Sequence, residues 1–264
     1  MSVAAAMRSR GAALTLLHHL VWIFVVLAAW QMAVELGYAR ALVVSTPLRV
    51  LAEFLALVQA PGTWSAIAVT LSELAVGLSI GGVIGVVLGS IFARSRLLDR
   101  CFRPLVVAFY TLPRLALLPL FVVWFGLGGG SKIAVVVVHG VVVFLLGAYA
   151  AISGIDRRMV EACRIFGAGP ARRLWLVYLP AAVPYLTTSA RQVVGLALGS
   201  VIVAEVSGAF AGIGFELALR LARFDMTGVL AWVVLVALLA LAFDRVGLLL
   251  ERRTARWASI RDGH

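Results

Sequence analysis

Residues 161–180 read Glu-Ala-Cys-Arg-Ile-Phe-Gly-Ala-Gly-Pro-Ala-Arg-Arg-Leu-Trp-Leu-Val-Tyr-Leu-Pro, a short polar and basic stretch between two long apolar runs. Glu161 followed by the small residues Ala162 and Cys163 reads as the opening of a short helix whose dipole favours a carboxylate. Gly167 then turns the chain and Leu179-Pro180 stops it. The pattern predicts a compact helix-turn-helix outside a bilayer, where a membrane protein would receive force from a cytoplasmic partner.

The chain around this stretch is built for lipid. Hydrophobic residues make up 63% of the 264 residues and charged residues 13%, and the mean hydropathy is +1.06, too little polar surface to cover a soluble globule. Six windows are long and apolar enough to cross a hydrocarbon core that needs roughly 20 helical residues. They are about Leu20–Gly37, Ala66–Ala93, Val106–Leu127, Ile133–Ile152, Leu186–Phe210 and Thr227–Leu249. Their hydrophobicity is continuous, without period-two alternation, so helices rather than a barrel are expected. Residues 1–19 form an N-terminal segment, 20–250 the transmembrane domain with a core of about 66–250, and 251–264 a tail. Ala39-Arg40-Ala41 mimics a cleavage site, but the run before it is too long for a signal peptide and reads as an uncleaved first span. The remaining connections leave no room for an ATPase or hydrolase domain.

The net charge of +11 is spread through short loops, which argues against nucleic-acid binding. Alternate connections carry 15 and 5 basic residues, and the richer side includes both termini and residues 161–180. That side is expected to be cytoplasmic.

Within the spans, Gly77, Gly81, Gly85 and Gly89 recur at i+4 and cover roughly a third of the helix circumference. A neighbouring helix can approach closely along them, within one subunit or between two. Pro113 and Pro119 flank Arg114 and predict a broken or kinked helix, tolerated where it faces protein or a water-filled path. Gly126 to Ser131 reads as a flexible turn after it. Ionisable groups in spans are functional candidates by default, which singles out Glu73, Arg114 and Glu205 for a pathway. Glu73 and Glu205 lie toward the outer ends of their spans, where water could reach them. Asp244, Arg245 and Arg191 lie near the inner surface, where snorkelling suffices.

Cys101 and Cys163 fall in cytoplasmic loops and indicate no disulfide. His18 and His19 are adjacent and make a poor metal pair. No catalytic triad, paired-carboxylate site or phosphate loop stands out, so no catalytic residue and no metal site is expected in this chain.

The spacing of Glu161, Ala162, Gly167 and Leu179-Pro180 resembles the EAA motif of permease subunits of bacterial ABC importers with the type I fold. Cys163 departs from the usual second alanine but is also small. Pro113-Arg114-Leu115-Ala116, Pro119-Leu120, Trp124-Phe125-Gly126-Leu127-Gly128, Ser131-Lys132-Ile133, Ala204-Glu205, Gly212-Ile213-Gly214 and the 251–257 tail resemble the nitrate, sulfonate, taurine and pyrimidine-precursor group. The resemblance covers most of the chain from Thr70 onward. It implies an all-α membrane protein of about six transmembrane helices, multi-pass in the cell inner membrane. It implies that Glu161, Ala162, Cys163, Arg164, Gly167, Leu179 and Pro180 form a coupling helix seated on a cytoplasmic ATPase. Further implied are a second copy of the chain, two ABC ATPase subunits holding the ATP and Mg, and an extracytoplasmic solute-binding protein. The solute implied is a small anion or zwitterion such as a sulfonate or taurine, with nitrate, bicarbonate or a pyrimidine behind. A six-helix secondary transporter and an intramembrane enzyme are the competing readings. The first needs a driving ion gradient and no ATPase, and the second a nucleophile and base at matching depth.

Overall fold

A computed structural model describes residues 3–38, 44–95, 97–98, 100–101, 104, 108 and 113–259. In chain order it contains α1 (Val3–Glu35), α2 (Pro47–Gln59) and α3 (Pro61–Arg94), then a 3₁₀ turn (Arg114–Leu117) leading into α4 (Leu118–Phe125). Next come α5 (Gly129–Ser153), the short α6 (Arg157–Ile165), α7 (Pro170–Val206), α8 (Ile213–Ala222) and α9 (Met226–Ser259). Among the described residues four helices are long and apolar enough to cross a membrane: α3, α5, α7 and the Met226–Thr254 part of α9. Val21–Glu35 and Arg114–Phe125 are shorter apolar stretches on the first and third expected spans. Part of the third, residues 106–107 and 109–112, lies outside the described residues.

The chain divides into two compact units. One comprises Met1–Ala60 and Leu219–Leu235. Pro47 starts α2 behind the Thr46 cap, whose side chain accepts the Arg49 N–H, a position where the missing proline donor costs nothing. In the same unit Arg220 donates to Glu53 at 2.6 Å and to Asp225 at 2.7 Å, and Asp225 caps α9 by accepting the Gly228 N–H at 3.0 Å. Burial works to raise the Asp225 carboxyl, but the Gly228 N–H and the Arg220 guanidinium outweigh it and hold the group below its ordinary value of 3.8. A carboxylate held low contributes stability that is present above the ordinary value and lost as pH falls through the depressed one. Hydrogen exchange at the Gly228 amide is therefore expected to remain protected down to about pH 4 and to open below it. Loss of protection near neutral pH would show that the cap is not what holds this turn.

The other unit comprises Pro61–Ala218 and Val236–His264. Here α3 lies along α5, and α5 along α7. The buried face of α3 is mostly small or polar (Ala66, Thr70, Glu73, Gly77, Gly81, Gly85, Gly89), with Ile67 and Leu74 among them, whereas Val76, Ile80, Val83 and Val87 are exposed. This reverses the pattern of a soluble protein, because lipid covers apolar side chains and only close backbone contact holds the helices together. Arg191 of α7 pairs with Asp244 and Glu251 of α9, each at 2.8 Å. Arg191 and Asp244 are thus ion-paired, where the sequence suggested only snorkelling.

Local structure differs from expectation in three places. Gly129, Gly130 and Ser131 are not a flexible turn but the first turn of α5, capped at Gly128 and braced by the Ser131 hydroxyl on the Gly128 carbonyl. Glu161 does not open its helix: α6 begins at Arg157 behind Asp156, whose side chain accepts the Arg158 N–H at 2.9 Å. Leu179-Pro180 does not stop a helix either. The chain runs on from Pro170 to Val206 through a π turn at Leu174–Tyr178, in which the Leu179 N–H reaches back to Leu174. That wider turn gives the Pro180 ring room where an α-helical carbonyl would clash. Pro113 does break regular structure, standing extended before the 3₁₀ turn, whereas Pro119 lies in the first turn of α4, where its missing donor is tolerated.

Candidate functional site

Glu73, placed near a membrane surface by its position in sequence, is almost fully buried, and Glu205 is entirely buried. They come together with Lys132, itself without solvent exposure. Neither acid is wetted, contrary to what their places in the spans suggested. The backbone of residues 212–214 closes over the Glu205 carboxylate. The Gly214 N–H donates to Oε2 at 2.6 Å, the Thr70 hydroxyl donates to Oε1 at 2.7 Å, and the Ile213 N–H donates to that hydroxyl at 2.9 Å. A side chain at Gly212, whose φ is +111°, would sit 2.5 Å from the carboxylate carbon. Gly212-Ile213-Gly214 is thus a backbone cradle, and glycine is needed because the acid occupies the space of a Cβ.

Glu73 faces the first turn of α5, where a methyl group at Gly129 would lie 2.9 Å from its Oε1. The free N–H groups of a helix start favour a carboxylate there. Its other oxygen is buried without a hydrogen-bond partner. The Lys132 ammonium donates to the carbonyls of Leu127 and Gly208, tying the turn before α5 to the turn after α7. The cluster therefore fastens α3, α5, α7 and two loops at one end of the unit. The sequence marks Lys132 as a loop charge and as part of the Ser131-Lys132-Ile133 resemblance, with no role attached to it. The signal for it was a single lysine in a chain whose other basic residues are arginine, opening a span opposite two intramembrane acids.

At the other end of α5 lies α6. Asp156 caps its start, and its end is closed by the Ala168 N–H on Cys163 at 2.9 Å and the Gly167 N–H on Arg164 at 3.0 Å. This reverse-turn pair needs a left-handed residue, and Gly167 has φ +75°. Glu161, Ala162 and Arg164 are exposed and Cys163 is partly so. Ile165 and Phe166 are 83% and 88% exposed, an apolar tip on a polar helix. Leu179 and Pro180 lie apart from that tip in chain order, within α7, and are also exposed. Arg94, at the end of α3, stacks 4.8 Å from the Tyr178 ring of the π turn.

A cavity of about 730 Å³ opens between the 3₁₀ turn, α5 and α7. Arg114, His139, Tyr185, Thr188, Ser189 and Gln192 supply its polar lining, and Val143, Leu146, Pro184 and Leu196 its apolar wall. His139 is held by Val135 O on Nδ1 at 2.9 Å and by Ser200 Oγ on Nε2 at 3.2 Å. A carbonyl only accepts, so Nδ1 carries the proton. Gly77, Gly81, Gly85 and Gly89 are distant from these chemical groups in role: they form the seam between α3 and α5 of one chain. No group of three or more potential metal ligands occurs among the described residues.

Comparison with known proteins is consistent with this architecture. The family model "Binding-protein-dependent transport system inner membrane component" matches residues 81–256. The chain is 32% identical over 233 residues to SsuC of Escherichia coli, named for aliphatic sulfonates transport, covering 88% of each chain. It is 26% identical over 238 residues to the taurine transport system permease protein TauC of the same organism, covering 88% of this chain and 86% of the relative. In fold it resembles a chain of the inward-facing MetNI methionine ABC transporter, with TM-score 0.59, 24% identity and coverage of 73% of this chain and 94% of that one. The buried polar clamp, the lipid-facing apolar helices and the capped helix between α5 and α7 thus belong to a member of the binding-protein-dependent transport system inner membrane component family, a permease subunit of an ABC importer whose ATP-hydrolysing site is in a separate partner chain.

Proposed function

We propose that this permease imports a small organic sulfonate or taurine-like solute, as a homodimer on two ATPase subunits, with solute delivered by an extracytoplasmic binding protein. The relatives named for aliphatic sulfonates and taurine support the solute class. Glu161, Ala162, Cys163, Arg164, Gly167, Leu179 and Pro180 serve in ATPase coupling, and both termini and α6 face the cytoplasm. The observation that carries the coupling assignment is the exposed Ile165-Phe166 tip on a helix capped at both ends. A rigid short helix with an apolar tip is a form that seats in a partner's pocket, and such buried anchors dominate interface energy. ATPase closure would then move α6 as a body and bias access to the pathway, a coupling between two sites.

Replacing Ile165 and Phe166 together with Ser is expected to cost about 2 kcal/mol or more of ATPase affinity. Gly167→Val adds strain of roughly 1–2 kcal/mol in a left-handed position. Both variants should insert normally, lose the co-purifying ATPase in mild detergent, and lose solute uptake in proteoliposomes. Full uptake with either variant would sink the assignment. Thermal shift of the partner binding protein against sulfonates, taurine, nitrate, bicarbonate and a pyrimidine tests the solute class separately.

A further inference from the structure

We propose that the cavity between the 3₁₀ turn, α5 and α7 holds the anionic head of the transported solute during passage, with Arg114 as its cation. This rests on the organic-anion reading above and adds a place for the anion inside the permease. About 730 Å³ falls in the range of roughly 300–1,000 Å³ common to small-molecule sites. Its lining combines one cation with an amide donor at Gln192 and an apolar wall of Val143, Leu146 and Leu196. That combination suits a short aliphatic chain ending in an oxyanion. A planar guanidinium matches two oxygens of a sulfonate at once, which an ammonium does not.

The charges around the cavity also permit an anion. No carboxylate lines it among the described residues. Behind the wall residue Thr188, Glu251 accepts its hydroxyl at 2.7 Å and is paired with Arg191. The depth is appropriate as well. Along α5 the lining runs from His139 to Gly147, about 15 to 27 Å from the Gly129 end at 1.5 Å per residue, so it occupies the middle and the α6-proximal half of the span. An ionisable group at that depth is costly unless it serves a pathway. The buried Glu73–Lys132–Glu205 cluster lies beyond the other end of this range, at the first turns of α5, so the cavity has its own cation.

The test is equilibrium binding of radiolabelled ethanesulfonate to the permease–ATPase complex in detergent, without binding protein or ATP, beside uptake of the same compound by proteoliposomes with binding protein. Saturable binding is expected in the unmodified complex. It should be displaced by methanesulfonate and not by the neutral diethyl sulfone. Arg114→Gln should weaken binding at least about tenfold, the loss of one charge-assisted bidentate contact, while Arg114→Lys weakens it less and Arg223→Gln, on the surface, leaves it unchanged. Uptake without saturable binding, equal displacement by the sulfone, or full binding by Arg114→Gln each overturns the site while the solute reading stands. Absence of both uptake and binding in the unmodified complex overturns the solute reading and the site with it. If Arg114→Gln fails to assemble, the displacement pair on the unmodified complex still decides.

Discussion

Lys132→Met is expected to prevent recovery of the permease as a monodisperse complex, or to lower its thermal midpoint more than any surface substitution. The ammonium is fully buried beside Glu73 and Glu205, and it holds the Leu127 and Gly208 carbonyls. Methionine preserves most of the side-chain volume and removes the charge, so the test isolates electrostatics from packing. Two carboxylates would remain in an enclosed site with no compensating cation, and breaking a buried pair in this way costs about 3–5 kcal/mol. Two carbonyls would lose their donor as well, each leaving a desolvation cost of about 1–3 kcal/mol if unmet.

The same reasoning gives the opposite sign for a neighbour. Glu73 has one oxygen buried without a partner, and it shares the site with a second acid that is already fully hydrogen-bonded. Glu73→Gln removes one of two like charges and supplies an N–H donor, so it is expected to be neutral or mildly stabilising. Glu73→Gln should also restore part of what Lys132→Met loses, which a double-mutant cycle on thermal midpoints would measure. Wild-type stability for Lys132→Met would mean that the ammonium does not compensate the carboxylates.

The helical class and the membrane setting were legible from the length of the apolar runs, and the break at Pro113 from the chemistry of proline. The α3 stripe was legible from i+4 glycine spacing, but its partner was not, because spacing names a face and not its neighbour. The polar cluster escaped for a related reason. Thr70, Glu73, Lys132 and Glu205 are spread over 135 positions, and only tertiary packing brings them together. Gly212-Ile213-Gly214 was noted as a family-like motif, and its physical meaning appeared only with Glu205 seated in it. The Leu179-Pro180 reading went wrong because rules for proline assume an α-helix, whereas a π turn shifts the register one residue earlier. Glu161 was placed at a helix start although Asp156, a better cap, stands five residues before it.

Gly81→Val is expected to have an effect comparable to that at Lys132, by a purely steric route. A Cβ at Gly81 would lie 2.6 Å from the Val137 carbonyl oxygen and 3.1 Å from the Gly140 Cα. Both are backbone atoms of α5, so no rotamer change can make room. Gly77 and Gly85 are constrained alike, with Val136 Cβ and the Val141 carbonyl each at 2.6 Å, so separating the helices at one glycine opens the seam at the others. Overpacking costs about 1–3 kcal/mol in ordinary cores, and a clash with rigid backbone belongs at the upper end or beyond. Gly82 supplies the comparison on the same helix. A methyl there meets the Phe144 ring at 3.3 Å, a side chain able to give, and alanine recovers about 1 kcal/mol of helix propensity. Gly82→Ala should therefore leave the thermal midpoint within a few degrees of the parent, whereas Gly81→Val should lower it sharply or abolish folded protein. Equal midpoints for the two would show that α3 and α5 can part without cost. The seam matters to function because α5 carries Lys132 in its first turn and leads, across three connecting residues, into α6. On the proposed coupling, if α3 and α5 hold together as one body, displacement of α6 would be delivered to the polar cluster at the far end instead of being absorbed by sliding between the two helices.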